Sequence, residues 1–333
     1  MTDVQTAPAP DGAAAKPRRR INLGFDRFSG LYVWALLVLI FALWIPDLFL
    51  SWDNFRTILS FQAISTIVAL GLIIPVAAGA FDLTIAATLT VSAVFTGWAL
   101  LNHKGVVFAC GGALLIGVII GLANALVVVK FKVDSFIGTL GMSSILAAVA
   151  YMISGGGQLV LPEAGYYPFL DFARQQWFGI SASVYYAGAL AIVIWWILEY
   201  TPGGRYLYAV GGNPVAARLA GVKVGRIIML SFVSSAVVCS FAGIVYLSQN
   251  ANGAPDSGVN YLLPAFSAVF LGATQIKPGR VNVVGTLVAI LLLATGVTGL
   301  QLGGAPTYVT QLFNGAALII AMALAARTAS RRS

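Results

Sequence analysis

Ten runs of mostly apolar residues dominate the chain, at about 31–50, 57–78, 84–101, 106–129, 135–154, 181–200, 227–248, 262–276, 281–300 and 306–326. Nothing else in the sequence constrains the fold as strongly, because a helix crosses a bilayer core with about 20 apolar residues. Hydrocarbon offers no water to a backbone N–H or C=O, so a run of this kind must close its hydrogen bonds within itself as a helix. The rest of the composition agrees. Charged residues make up 9% of the chain, against about 25% in soluble domains, too few to clothe a water-facing surface. The expected fold is an all-α polytopic membrane protein with about ten transmembrane helices. The eighth run, 262–276, is the shortest and is expected to be a broken or re-entrant helix.

The flanks and loops set the topology. Residues 1–30 are polar, rich in Ala and Pro, and carry the run KPRRR at 16–20; they are expected to be a disordered basic tail. Residues 31–326 form one transmembrane domain, and 327–333 a second short tail. The first apolar run is long, contains Trp and lacks a small-residue cleavage site after it, so it is a retained span and not a signal peptide. With the N-terminus in the cytoplasm and the spans alternating, sixteen of the nineteen Lys and Arg residues fall inside, and Arg56, Lys104 and Arg174 remain outside. That is the bias short loops carry in membrane proteins. Both termini are therefore expected in the cytoplasm. So is the loop 201–226, while 155–180 lies outside and has the aromatics to form a short interfacial helix.

Several functions are disfavoured. The net charge of +8 is dispersed between spans and forms no folded basic face, so nucleic acid is not an expected partner. Cys110 and Cys239 are too sparse for a disulfide framework or metal site, and His103 is the sole histidine. No GxxxxGK[ST] loop is present, so no nucleotide is expected on this chain by that route. Asp82, Asp134 and Glu199 are the acidic residues nearest the runs, and all three fall at cytoplasmic ends. The spans hold no mid-membrane ion pair, which disfavours an ion-driven carrier and an intramembrane hydrolase. The Gly117/Gly121 and Gly299/Gly303 pairs have the spacing that lets helices approach closely, and packing within one subunit accounts for them more simply than a dimer contact. Residues 69–91 and 269–290 echo one another: each runs inward, turns at a Gly and returns.

One polar stretch stands out. TPGGRYLYAVGG, at 201–212, is turn-rich. NPVAARLAG then has the marks of a short helix. Asn213 is a good N-cap, Pro214 suits the first helical position, and Gly221 suits the left-handed residue after the end. About eight residues make a rod of roughly 12 Å, too short to span a bilayer. Its apolar residues need cover, either from this chain or from a partner.

AVGGNPVAARLAGVKVGRI at 209–227 resembles the cytoplasmic coupling segment of the ribose/xylose/arabinose permease family of ABC sugar importers. Three more stretches resemble that family in order: GAFDLTIAAT at 79–88, VDSFIGTLGMSSILAAVAYMISGG at 133–156, and LGATQIKPGRVNVVGTLVAILLL at 271–293. Ala80, Phe81, Asp134, Lys277, Pro278 and Val281 depart from the family pattern. The resemblance implies a permease fold like that of the vitamin B12 importer. It implies a bacterial inner-membrane subunit that pairs with an identical or paralogous permease, two ATPase subunits and an extracytoplasmic binding protein, and that meets membrane lipid. ATP and Mg would be bound by the ATPase, with no cofactor on this chain and no catalytic residue. Asn213, Pro214, Ala217, Arg218 and Gly221 match the ATPase-coupling motif. Asp82 matches the family aspartate, with a structural role at a helix N-terminus or a place on the path. Ser135, Phe136 and Thr139, with Asn124 and Asn314, are candidates for the translocation path or for packing. The solute implied is a monosaccharide, polyol or related small molecule. A secondary carrier or channel for a neutral solute is the alternative.

Overall fold

The computed structural model describes residues 25–306 and 308–330. It contains fourteen α-helices: α1 (Phe25–Trp44), α2 (Pro46–Phe49), α3 (Trp52–Ala77), α4 (Ile85–Leu101), α5 (Val106–Ala125), α6 (Ser135–Ser154), α7 (Glu163–Arg174), α8 (Ala182–Tyr200), α9 (Pro202–Gly212), α10 (Pro214–Leu219), α11 (Val224–Asn250), α12 (Val259–Ala273), α13 (Val283–Leu302) and α14 (Tyr308–Ser330). Helix α5 continues through a wide π turn, Leu126–Lys130. By length and composition, α3, α5 with its extension, α6, α8, α11 and α13 are able to cross a membrane, and α4, α12 and parts of α1 and α14 are shorter apolar helices. The chain is thus an all-α polytopic membrane protein. Its strands are four two-residue pieces: β1 (Leu159–Val160), β2 (Gln176–Trp177), β3 (Ile180–Ser181) and β4 (Asn252–Gly253). They pair antiparallel as β1 with β4 and β2 with β3.

Helices α3 and α11 form the centre. Ile67, Val68, Leu70, Leu72 and Ile73 of α3 and Phe232, Cys239, Val245 and Leu247 of α11 are fully enclosed. Apolar packing in the protein replaces apolar packing in lipid, so close approach decides which faces meet. A Cβ on Gly117 would lie 2.4 Å from Ser240 Oγ, and one on Gly121 2.4 Å from Val233 Cα. These two glycines let α5 lie directly on α11. Gly299 and Gly303 do the same for α13, where Phe41 and Trp44 of α1 occupy the space of the missing side chains. Both pairs serve contacts inside the chain.

Four boundaries differ from expectation. The basic tail expected at 1–30 falls largely outside the described residues, but 25–30 are the first turns of α1. Likewise 327–330 belong to α14, because the apolar helix carries on past its membrane-length stretch. The eighth run is a continuous fifteen-residue helix, α12, not a broken one. The stretch 201–212, expected to be turns, is the helix α9; the reason is given below.

The 155–180 segment holds α7, as a short amphipathic helix whose Phe169, Leu170 and Ala173 are buried. Ser248 of α11 pins it. The Ser248 Oγ donates to Phe169 O at 2.7 Å and accepts from Ala173 N–H at 2.9 Å. Arg174 Nε adds a bond to Gln249 O at 2.9 Å. The segment is therefore fastened to the protein rather than laid on a membrane surface alone.

Candidate functional site

Two neighbouring regions at one end of the molecule carry the sequence-predicted residues. The first is the α9–α10 segment. Thr201 caps α9 by accepting from Gly204 N–H, with Pro202 in the first turn. Two of the glycines that looked like turn formers, Gly204 and Gly211, are there for contact. A Cβ on Gly204 would lie 2.3 Å from Leu198 O, and one on Gly211 2.3 Å from Ala77 O at the end of α3. Helix α9 thus presses backbone against backbone, with Leu207 and Val210 buried.

Asn213 then breaks the helix in an extended conformation and starts α10, its Oδ1 accepting from Val215 N–H at 3.1 Å and Ala216 N–H at 2.9 Å. Pro214 follows at the first helical position. The end is closed by the paired bonds of a left-handed cap. Gly221 has φ +84; its N–H donates to Arg218 O, and Val222 N–H to Ala217 O, both at 3.0 Å. Ala217 is buried in a small cluster with Val210 and Val224, which anchors α10 to its neighbours. The opposite face is open: Val215 is 65% exposed and Leu219 85%, and Arg218 stands free of the core beside them. A helix closed at both ends and fixed beneath thus presents Val215, Arg218 and Leu219 on its open face.

The second region is the segment 78–84 between α3 and α4. Asp82 is fully enclosed. Its Oδ1 accepts from the Thr84 N–H at 3.0 Å and from the Thr84 hydroxyl, and its Oδ2 accepts from Ser235 Oγ at 2.9 Å. Thr84 Oγ1 in turn accepts from Asn124 Nδ2 at 2.8 Å, while Asn124 Oδ1 is enclosed without a hydrogen-bond partner. The carboxylate thus sits beside the first turn of α4, where the helix dipole favours it. The segment's backbone forms no regular element and is paired by hydroxyls from α6. Phe81 N–H donates to Ser135 Oγ at 3.0 Å and Leu83 N–H to Thr139 Oγ1 at 3.1 Å, and Ser143 Oγ donates to Leu83 O at 2.8 Å. Ser135, Thr139 and Ser143 are four residues apart, so they line one face of the helix. Asp134 caps that helix, accepting from Phe136 N–H at 3.0 Å and Ile137 N–H at 3.2 Å, which explains an acidic residue there.

The structure therefore gathers Asp82, Asn124, Ser135 and Thr139 around one turn. Phe136 is half exposed and reaches the turn through an edge contact with Phe81, 6.3 Å between ring centres. Asn314 stands apart on α14, where its carbonyl accepts from Ser267 Oγ at 3.3 Å. Ser143 escaped the sequence reading, although its four-residue spacing from Thr139 was visible. Ser235 gave no local signal, being 153 residues from Asp82.

A third set of residues packs against α8 and α9. The turn 274–282 is held by Asn282, which caps α13 through Gly285 N–H at 2.7 Å and donates to Gly272 O and Gln275 O. The turn projects Lys277 and Arg280 toward Glu199 at the end of α8. The Arg280 guanidinium lies 3.5 Å over the Tyr208 ring of α9, and Tyr208 OH donates to Val281 O at 2.9 Å. Burial pushes the Tyr208 hydroxyl up and Arg280 pulls it partly back; it remains a neutral donor. A cavity of about 500 Å³ lies between these pieces, bounded by Ala77, Tyr208, Gly211, Phe270, Arg280 and Val281. Among the described residues no group of three or more His, Cys, Asp or Glu side chains is placed to hold a metal ion.

Comparisons with known proteins place the chain in a family. A family profile described as branched-chain amino acid transport system, permease component, matches residues 54–322. The L-arabinose transport system permease protein AraH of Escherichia coli is 30% identical over 97% of this chain and 96% of its own. The L-arabinose ABC transporter permease protein AraH of Azospirillum brasilense is 29% identical over 97% of this chain and 94% of its own. The ribose import permease protein RbsC of Escherichia coli is 29% identical over 86% of this chain and 90% of its own. No solved structure matches the chain. A polytopic helical body and a match running through nearly all of its apolar helices lead to one conclusion: the chain belongs to the permease-component family of the branched-chain amino acid transport system type, as a membrane permease subunit.

Proposed function

We propose that this chain is one of two permease subunits, identical or paralogous, enclosing the path of an ABC importer for a monosaccharide, polyol or related small solute. The sugars named for the arabinose and ribose permeases it is similar to support that solute class. In this reading ten helices (α1, α3, α4, α5, α6, α8, α11, α12, α13 and α14) span the bacterial inner membrane in a fold like that of the vitamin B12 importer. Both termini and the α9–α10 segment lie in the cytoplasm, and α7 lies outside, where a binding protein delivers the solute. ATP and Mg are bound and ATP is hydrolysed by separate ATPase subunits, which dock on α10.

The observation that carries the proposal is the construction of α10. Asn213, Pro214, Gly221 and the buried Ala217 fix the helix, and Val215, Arg218 and Leu219 are left facing outward. A six-residue helix of about 9 Å does not reach across a bilayer, so its open apolar face suits a soluble subunit. Movement of that subunit on ATP binding would be passed into the membrane domain as a rigid push. Asp82, Asn124, Ser135, Phe136, Thr139 and Asn314 remain the residues proposed near the path. The enclosure of Asp82, Asn124 and Thr139 favours a role in holding the α3–α4 turn, and the exposure of Phe136 favours contact with solute or with the second permease.

The experiment is made on the assembled transporter. Gly221→Val forces a β-branched residue to φ +84, and Arg218→Glu reverses the charge on the docking face. Each is expected to weaken co-purification of the ATPase or to separate ATP hydrolysis from uptake. If both variants retain the ATPase and transport at the wild-type rate, α10 is not the coupling element.

A further inference from the structure

The α9–α10 segment touches the membrane domain at two loops that are far apart in sequence. Gly211 lies against the end of α3, close enough that a Cβ would meet Ala77 O, and Gly79 of the next turn lies against Gly211 in return. Three residues earlier, Tyr208 is held by the 274–282 turn through two contacts of different kinds. Its ring lies under Arg280 at 3.5 Å, and its hydroxyl is bonded to the Val281 carbonyl at 2.9 Å. Arg280 is itself steadied by Glu199, 3.7 Å away, which also pairs with Lys277. So α8, α9 and the 274–282 turn are tied together by charge, a cation over a ring and one hydrogen bond from the Tyr208 hydroxyl to a backbone carbonyl. Behind them lies the cavity of about 500 Å³, which leaves room for this assembly to shift as a unit.

The two contacts differ in stiffness. At Gly211 backbone meets backbone, and such a contact pushes but does not pull. Tyr208 and Arg280 make bonds, and a bonded contact transmits motion in both directions. A guanidinium over an aromatic face keeps its attraction while it slides, whereas the hydroxyl bond to Val281 fixes direction.

We propose that Tyr208 and Arg280 are positioning residues for ATP-coupled transport, passing movement of the α9–α10 segment to the 274–282 turn, and through it to α12 and α13. This rests on the reading that the ATPase docks on α10. In that arrangement Tyr208 and Arg280 act by keeping α9 and the turn moving as one body.

The test uses the full complex of permease, ATPase and binding protein in proteoliposomes, measuring solute taken up per ATP hydrolysed. The wild-type complex must first show ATP-dependent sugar uptake, and its failure there would count against the proposed function, not against the relay. In Arg280→Met the ATPase is expected to co-purify at the wild-type level while uptake per ATP falls about tenfold. Arg280→Lys is expected to recover most of that loss. A second arm guards against misfolding of a single variant. Tyr208→Cys with Val281→Cys, in a background with Cys110 and Cys239 replaced by Ser, is expected to be uncoupled when its thiols are free. Bridging them with a short bifunctional maleimide is expected to restore uptake per ATP to within about threefold of wild type, since a covalent link replaces the lost one. The proposal is overturned if Arg280→Met keeps wild-type coupling, or if the bridged protein stays as uncoupled as the unbridged one.

Discussion

At the scale of single residues, several polar groups are spent on backbone that helices leave unsatisfied. Asn213, Asp134, Asn282 and Thr201 each accept from the first turn of a helix. Asp82 does so for the Thr84 amide and also binds the Thr84 and Ser235 hydroxyls. Loss of a cap costs about 1 kcal/mol, whereas stranding a buried donor costs about 1–3 kcal/mol. The two kinds of site therefore predict different outcomes. Asn213→Ala is expected to lower the unfolding midpoint in detergent only slightly. Asp82→Leu strands two hydroxyls in a closed site and is expected to lower it far more, while Asp82→Asn, which keeps an acceptor oxygen, stays close to wild type. Equal effects of the Leu and Asn variants would mean that hydrogen bonding is not what Asp82 supplies. The caps at Asn213 and Gly221 were legible in the sequence because a cap acts within four residues. The Asp82–Ser235 bond was not, since nothing in a local window joins positions 153 apart.

Helices were legible wherever a run of apolar residues set their length, and α6 (Ser135–Ser154) coincides with its run at both ends. Helix α9 was not. Its glycines have two possible uses, turn and close contact, and only the position of Leu198 O and Ala77 O decides between them. The small ladders β1–β4 and β2–β3 were hidden for the same reason, being two residues long and paired across loops. Helix α6 offers a test at this scale. Its face of Ser135, Thr139 and Ser143 pairs the backbone of Phe81 and Leu83. Thr139→Val keeps the shape and removes the acceptor for Leu83. Hydrogen exchange at the Leu83 amide is expected to speed up, with the Phe81 amide, bonded to Ser135, changing much less. Unchanged exchange at Leu83 would show that the helix face does not hold the turn.

For the molecule as a whole, the paucity of charge and the ten apolar runs announced a membrane protein, and that conclusion needed no tertiary information. What the sequence left out is how the parts communicate, because that depends on segments meeting from distant places: Ala77 of α3, Tyr208 of α9 and Val281 of the 274–282 turn converge around one cavity. The central claim is that this chain moves a small neutral solute only as part of an ATP-driven assembly. Uptake of labelled D-ribose and L-arabinose into proteoliposomes tests it directly. The account predicts uptake of at least one of these sugars or a related polyol when the permease, its ATPase, its binding protein and internal ATP are all present, and none when any one is withheld. Uptake by the permease alone, whether down a gradient or driven by an ion, would contradict it.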